Sequence, residues 1–320
     1  MLKPSFLVAL VFLSNAAFAQ TYPSHPVKVI VPWPPGQATD IAARLLADKL
    51  RESLGQPFVV ENHPGAGGSI GTAIAAKSAP DGYTLLAASS GPVSVMPSLA
   101  KLPYDPLTDL VMIGLISRSP YVLVVKPSFP ARDLAEFIAV VKANPDKYTF
   151  ASSGTGATGH LLAELFNSMT GIQARHVPYK GAGPELTDVM AGQVDYSLEV
   201  VAATAGHVRA GRLKALGVST AQRSPALPEV PAIALAAGLP DYDAGVWIGC
   251  AAPAGLPPHV LARLSATMQA ALRSKDLRNR LLAAGLDPVR SMPEEMPEFL
   301  RREQQRYADV IRKANIRLDD

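Results

Sequence analysis

The sequence predicts an α/β fold built from two similar units. Three observations carry that expectation. Short apolar runs alternate with helix-period stretches along most of the chain. Each unit has a Gly-rich turn before its first helix, and Gly-Ala-Gly after its second strand. With 320 residues, 48% of them hydrophobic and 18% charged, the chain can fill two cores.

The N-terminus reads as a processing segment. Lys3 is the positive region, Phe6 to Leu13 the apolar run and Ala17-Phe18-Ala19 the cleavage pattern, so residues 1–19 are expected to leave and Gln20 to begin the mature chain. That apolar run is too short to span a membrane. The expected product is exported and soluble.

The first unit begins with strand Val27–Val31, which runs into Pro32-Trp33-Pro34-Pro35-Gly36-Gln37-Ala38-Thr39-Asp40. Thr39 or Asp40 suits an N-cap or first helical turn. The helix Asp40–Leu54 has one apolar face, Ala43, Leu46, Leu50 and Leu54, with Arg44, Asp48, Arg51 and Glu52 opposite. Strand Phe58–Glu61, helix Ser69–Ser78 and strand Thr84–Ala88 follow. A Pro-rich irregular region leads to strands Val111–Ile116 and Tyr121–Val125, separated at Ser119-Pro120, and then to helix Ala131–Ala143.

The second unit runs through strand Tyr148–Ala151, helix Thr158–Met169, strand Ala174–Pro178, helix Glu185–Ala191, and strands Tyr196–Val200 and Leu213–Val218. A Pro-rich connector spans Pro225 to Pro240. Strand Val246–Ala251 precedes a helical tail: Pro257–Leu272, Leu277–Ala284 and Glu294–Lys313. Arg301, Arg302, Glu303, Arg306 and Asp309 are expected on a solvated helix face.

A strand that ends where a helix begins gathers free N–H groups at the positive end of a helix dipole, which is an anion site. Two such places stand out, Gly36 to Asp40 and Ser153 to Thr158. The second also fits G-x-G-x-x-G through Gly154, Gly156 and Gly159, but the next strand ends in Val177-Pro178-Tyr179-Lys180, where a nicotinamide enzyme needs an acid for the ribose. Gly67-Gly68-Ser69-Ile70-Gly71 fits the hydrolase pattern G-x-S-x-G, yet Pro64 to Gly68 separate Ser69 from its strand, so a helix N-cap is the expected role. A secreted esterase or a nicotinamide-dependent oxidoreductase is the rival reading, and its weakness is that no base is paired with a nucleophile. His160 and Glu164 share a helix face without further metal ligands nearby, so neither metal nor cofactor is expected. A net charge of +3 without basic runs excludes a nucleic-acid footprint. Cys250, the one cysteine, sits in an apolar run and reads as a buried thiol.

Several stretches, in order, carry a resemblance: Tyr22-Pro23, Ile30-Val31-Pro32 through Asp40, Leu54-Gly55-Gln56-Pro57, Glu61-Asn62 through Gly71, and Pro80-Asp81-Gly82-Tyr83-Thr84-Leu85-Leu86. Leu102-Pro103-Tyr104-Asp105-Pro106, Val177-Pro178-Tyr179-Lys180-Gly181, Gly192-Gln193-Val194-Asp195, Ala210-Gly211-Arg212-Leu213-Lys214-Ala215-Leu216 and Ala252-Pro253-Ala254-Gly255 continue it. Over essentially the whole mature chain this resembles the Bug (Bordetella uptake gene) family, extracytoplasmic solute-binding proteins of tripartite tricarboxylate transporters.

The resemblance implies a periplasmic-binding-protein type II (Venus flytrap) fold. Residues 20–119 with 245–320 would form one domain and 120–244 the other, with hinges near 118–121 and 241–247. It implies a periplasmic, monomeric binding protein for a small carboxylate, with no catalytic residues, delivering to a two-component membrane permease. The expected ligand contacts are Trp33, Gly36, Gln37, Ala38, Thr39 and Asp40 on the first loop, with Ser89 and Ser90 beside it. Ser153, Gly154, Thr155, Gly156, Thr158 and His160 form the second loop, with Tyr179, Lys180 and Glu199 beside it. The family pattern has Gly where Gln37 stands, which adds an amide side chain at the cleft. The family's Pro-Thr-x-x-Glu-x-Gly reads Pro231-Ala232-Ile233-Ala234-Leu235-Ala236-Ala237-Gly238 here.

Overall fold

The computed structural model describes residues 22–145, 147–240, 242–313 and 316–317. The expected leader lies outside them, as does Asp241 of the second expected hinge. Among the described residues no helix is long and apolar enough to cross a membrane.

The first half is built on β1 (Val27–Val31), β2 (Phe58–Asn62) and β3 (Thr84–Ser89), with β1 parallel to both others. Helices α1 (Ala38–Leu54) and α2 (Ser69–Ala76) return the chain between them. On α1 the stripe Ala42, Ala43, Leu46, Ala47 and Leu50 is buried, at helical period. Leu46 and Leu50 each contribute about 1.5–3 kcal/mol of burial, and Gly55 ends the helix in the left-handed region.

The two strands expected around Ser119-Pro120 are one, β4 (Leu110–Val125). Pro120 does not break it because its neighbours change at that point. Leu110 to Pro120 pair with β9 (Gly245–Pro253), whereas Tyr121 to Val125 pair with β7 (Tyr196–Val200) and Val122 to Val125 with β8 (Lys214–Val218). A proline, which cannot donate to a ladder, fits such a handover.

Beyond β4 come α3 (Leu134–Lys142), β5 (Thr149–Ser152), α4 (Thr158–Thr170), β6 (Arg175–Pro178) and α5 (Ala182–Ala191). Strand β5 lies parallel between β6 and β7. Helix α6 (Val201–Arg209), which follows β7 without a turn, was not expected. Neither was the short α7 (Ile233–Ala236) in the connector. Val201, Thr204 and Ala205 give α6 one narrow buried face, too short a pattern to stand out in sequence. The tail holds α8 (Pro258–Arg273), α9 (Lys275–Ala283), β10 (Asp287–Pro288) and α10 (Met296–Lys313). The path of paired strands is β2-β1-β3-β9-β4-β7-β5-β6, with β8 and β10 also on β4.

The solvated face expected on α10 is partly wrong. Glu303 is buried and paired with Arg306, and Arg306 donates to the Asp243 carbonyl. Helix α10 crosses both halves: Met296, Phe299 and Leu300 pack with Trp247 under the first, and Tyr307 and Ile311 pack with Tyr121 and Tyr242 under the second. Glu303 and Arg306 therefore meet the chain crossing, while Arg301 and Arg302 face water as expected. Cys250 is buried as expected, and burial pushes its thiol up to about 12.

Candidate functional site

The ends of β1 and β5 are both carboxyl ends of parallel strands, and each runs through a glycine turn into a helix. The two turns match position by position. Gly36 (φ 84°) and Gly156 (φ 75°) are left-handed, a region glycine enters without a Cβ penalty. The N-caps follow, Gln37 (φ −77°, ψ 162°) and Ala157 (φ −63°, ψ 154°), and neither supplies a side-chain cap. The first-turn N–H groups of Ala38, Thr39 and Asp40, and of Thr158, Gly159 and His160, have no intrahelical acceptor. Both helix starts can therefore accept an anion.

The glycine N–H itself is already used in each turn. Gly36 donates to Asp40 Oδ2 at 2.9 Å, and Gly156 donates to His160 Nδ1 at 3.0 Å, both four residues ahead. The side chain four further on completes each arrangement with opposite charge. Arg44 donates to Asp40 at 2.9–3.0 Å, whereas Glu164 Oε1 lies 3.7 Å from His160 Nε2. Asn62 closes the first network by donating to Asp40 Oδ1 and to the Trp33 carbonyl. Burial opposes the charge on Asp40, but Arg44, the Gly36 N–H and Asn62 outweigh it and hold the carboxyl below its usual range. Asp40 thus shapes the first loop from beneath. The N-cap expected at Thr39 or Asp40 is Gln37, with Asp40 in the first turn.

Under the second loop two imidazoles stack face to face. His160 and His176 have ring centroids 3.8 Å apart and planes 7° apart, with Phe150 against His176 at 4.9 Å. Ser152 donates to the Gly154 carbonyl, so it accepts from His176 Nε2 at 2.7 Å. Burial, and then His160 beside it, push His176 down to about 4. Gly159 is confined: a Cβ there would lie 2.5 Å from the Leu198 carbonyl, so α4 rests directly on β7.

Trp33 is half-buried, and its indole donates to Ser89 at 2.9 Å. Ser90 is fully buried, with its hydroxyl unpartnered among the described residues and Tyr307 opposite. Gly36 and Gln37 are exposed, and Ser153, Gly154, Thr155 and Thr158 are half-buried at the loop. Tyr179 donates to Asp188 and packs on the core beneath α5 and α6, and Lys180 is exposed. Glu199 is buried, bonded to the Val200 N–H, beside Glu185, which accepts from Ser197. Burial raises both acids above their usual range.

Sequence reasoning missed Asn62, Tyr121, His176 and Glu185. Register places Asn62 opposite Val31, the last residue of β1, and the Tyr121 ring lies against Gly159 while Thr158 faces its hydroxyl. Strand order was the missing signal in each case. Ser69 does not cap α2. Gly68 is the N-cap, and the Ser69 hydroxyl is buried without a partner among the described residues, because the left-handed Gly68 turns the chain before Ser69 enters the helix. That is not a nucleophile elbow. Among the described residues no three His, Cys, Asp or Glu side chains gather as metal ligands.

A family model described as "Tripartite tricarboxylate transporter family receptor" matches residues 42–316. The protein BugT of Bordetella pertussis is 41% identical over 315 residues, covering 96% of each chain. A solved Rhodopseudomonas palustris protein with adipate is 34% identical, with TM-score 0.80, over 92% of this chain and 99% of its own. MatC from the same organism, with bound malate, is 33% identical, with TM-score 0.76, over 91% of this chain and 100% of its own.

Proposed function

The chain belongs to the tripartite tricarboxylate transporter receptor family, and from that premise we propose that it is a soluble periplasmic protein that captures a small carboxylate and hands it to a two-component membrane permease. The observation that carries this is the pair of matching helix starts at the ends of β1 and β5, each without a side-chain cap. A carboxylate accepting their N–H groups gains charge-assisted bonds of about 1.5–3 kcal/mol each, and each helix end adds about 0.3–1 kcal/mol. Four or five such contacts, less the costs of association, reach micromolar affinity, about 8 kcal/mol. The relatives solved with adipate and malate bind small carboxylates of this class.

The two loops lie on different domains in this reading, residues 20–119 with 245–320 and residues 120–244. The change of pairing partner between Pro120 and Tyr121 on β4 supports that division. Closure about residues 118–121 and 241–247 brings both donor sets onto one ligand, with the Trp33 ring walling its apolar part. Thr158 and Ser153 add hydroxyl donors. The leader expected at residues 1–19 directs export.

Calorimetry of the mature protein against malate and adipate, each beside its diamide, tests the reading. The acids should bind and the diamides should bind at least tenfold more weakly. Equal binding of acid and diamide would show that the loops do not recognise charge.

A further inference from the structure

The two loops are pinned by different chemistry. Asp40 accepts the Gly36 N–H as a carboxylate that Arg44 and Asn62 keep ionised. His160 accepts the Gly156 N–H through Nδ1, which is possible only while that nitrogen carries no proton, so the ring proton sits on Nε2 toward Glu164. We propose that His160, stacked on His176, is a positioning residue that latches the second loop only while its Nδ1 is unprotonated, so that acid loosens this loop and leaves the first one held.

A proton on Nδ1 would face the Gly156 N–H, donor against donor, and the loop must then move. The groups around His160 come from several elements. His176 on β6 stacks on it and Glu164 on α4 faces its Nε2. Tyr196 on β7 stacks on Phe150, but its hydroxyl is bound to Asn167. Glu199, with Glu185 beside it, faces Ser153 at the start of the same loop. From α10, Arg306, Asp309 and Lys313 line, with Glu164, a cavity of about 360 Å³ between α4 and α10. His176 itself is held neutral down to about 4. The bond to Gly156 is lost when Nδ1 takes a proton.

The consequence for ligand rests on the carboxylate reading above, but the latch can be read without ligand. Amide hydrogen exchange of the mature protein, at about pH 7.5 and about pH 5 and corrected for intrinsic rates, reports the opening of each bond. Gly156 should lose at least about tenfold in protection toward acid while Gly36 keeps its own. His160→Asn places an unprotonatable acceptor near the Nδ1 position and should abolish the loss. In calorimetry, malate affinity of the wild type should fall at least about fivefold more toward acid than that of His160→Asn, which shares the ligand's own protonation. Gly156 staying protected at about pH 5, Gly36 loosening equally, or His160→Asn showing the same loss would overturn the latch. Malate binding to neither protein would count against the carboxylate reading, while the wild-type exchange data still judge the latch. If His160→Asn fails to fold, the wild-type contrast between Gly36 and Gly156 decides.

Discussion

The first and second loops share a backbone and differ in what lies beneath it. Both use a left-handed glycine, an extended N-cap and a side chain at the same offset to accept the glycine N–H. Under the first loop that side chain is an acid in a three-partner ionic network, and under the second it is a histidine on an aromatic stack. The second helical position also differs: Thr39 fits where Gly159 has no room for a Cβ. A common backbone can thus be kept by supports that differ in charge and in the room they leave.

The largest effect expected from breaking that comparison is at Gly159. Gly159→Ala puts a methyl into the Leu198 carbonyl, and overpacking against backbone costs about 3 kcal/mol. Urea unfolding should show a lower midpoint with an unchanged slope. A cost below about 0.5 kcal/mol would mean that α4 shifts freely on β7.

Next is Asp40→Ala, which removes the acceptor for Gly36, Arg44 and Asn62. Arg44 is half exposed and recovers water, so the loss should be about 2 kcal/mol. The same measurement checks it, and the cost should shrink once the pH is low enough to protonate Asp40 in the wild type, when only neutral hydrogen bonds remain.

The pH windows differ between the two supports. His176 has a folded value near 4 against 6.5 when unfolded. The unfolded chain binds more protons between those values, so His176 removes stability as pH falls from 6.5 to 4. Asp40 is lowered from 3.8, so its contribution is present above 3.8 and is lost only as pH falls through the lower folded value. Thermal melts across this range should lose less toward acid in His176→Asn, by roughly 1 kcal/mol after screening of a half-buried ring. An identical slope would place the acid sensitivity elsewhere.

The smallest effect is at Thr39, the first-loop counterpart of Gly159. Thr39→Gly should cost about 0.5–1 kcal/mol through backbone freedom alone, with no change in the pH profile. A larger cost would show that α1 leans on the Thr39 side chain as closely as α4 leans on β7.

The two helix starts were legible because they depend on neighbours in the chain. An apolar strand, a glycine turn and an amphipathic helix mark Val27–Leu54 and Thr149–Thr170 in one dimension, and their ends lie within two residues of those expected. The buried thiol and the two-unit architecture were legible for the same reason, since hydrophobic period and glycine punctuation are local. Asn62 beside Trp33, His176 under His160, and Tyr121 under Gly159 were not legible, because each contact needs the strand order and the register to be known. The same holds for Ser119-Pro120, where a turn signal sits inside a 16-residue strand because two different partners share it, and for Glu303, whose charged surroundings in sequence hide a buried position at the crossing. Local backbone preference, acting over a few residues, placed the two helix starts. Long-range pairing, which brings together residues distant in the chain, decided what holds each of them in shape.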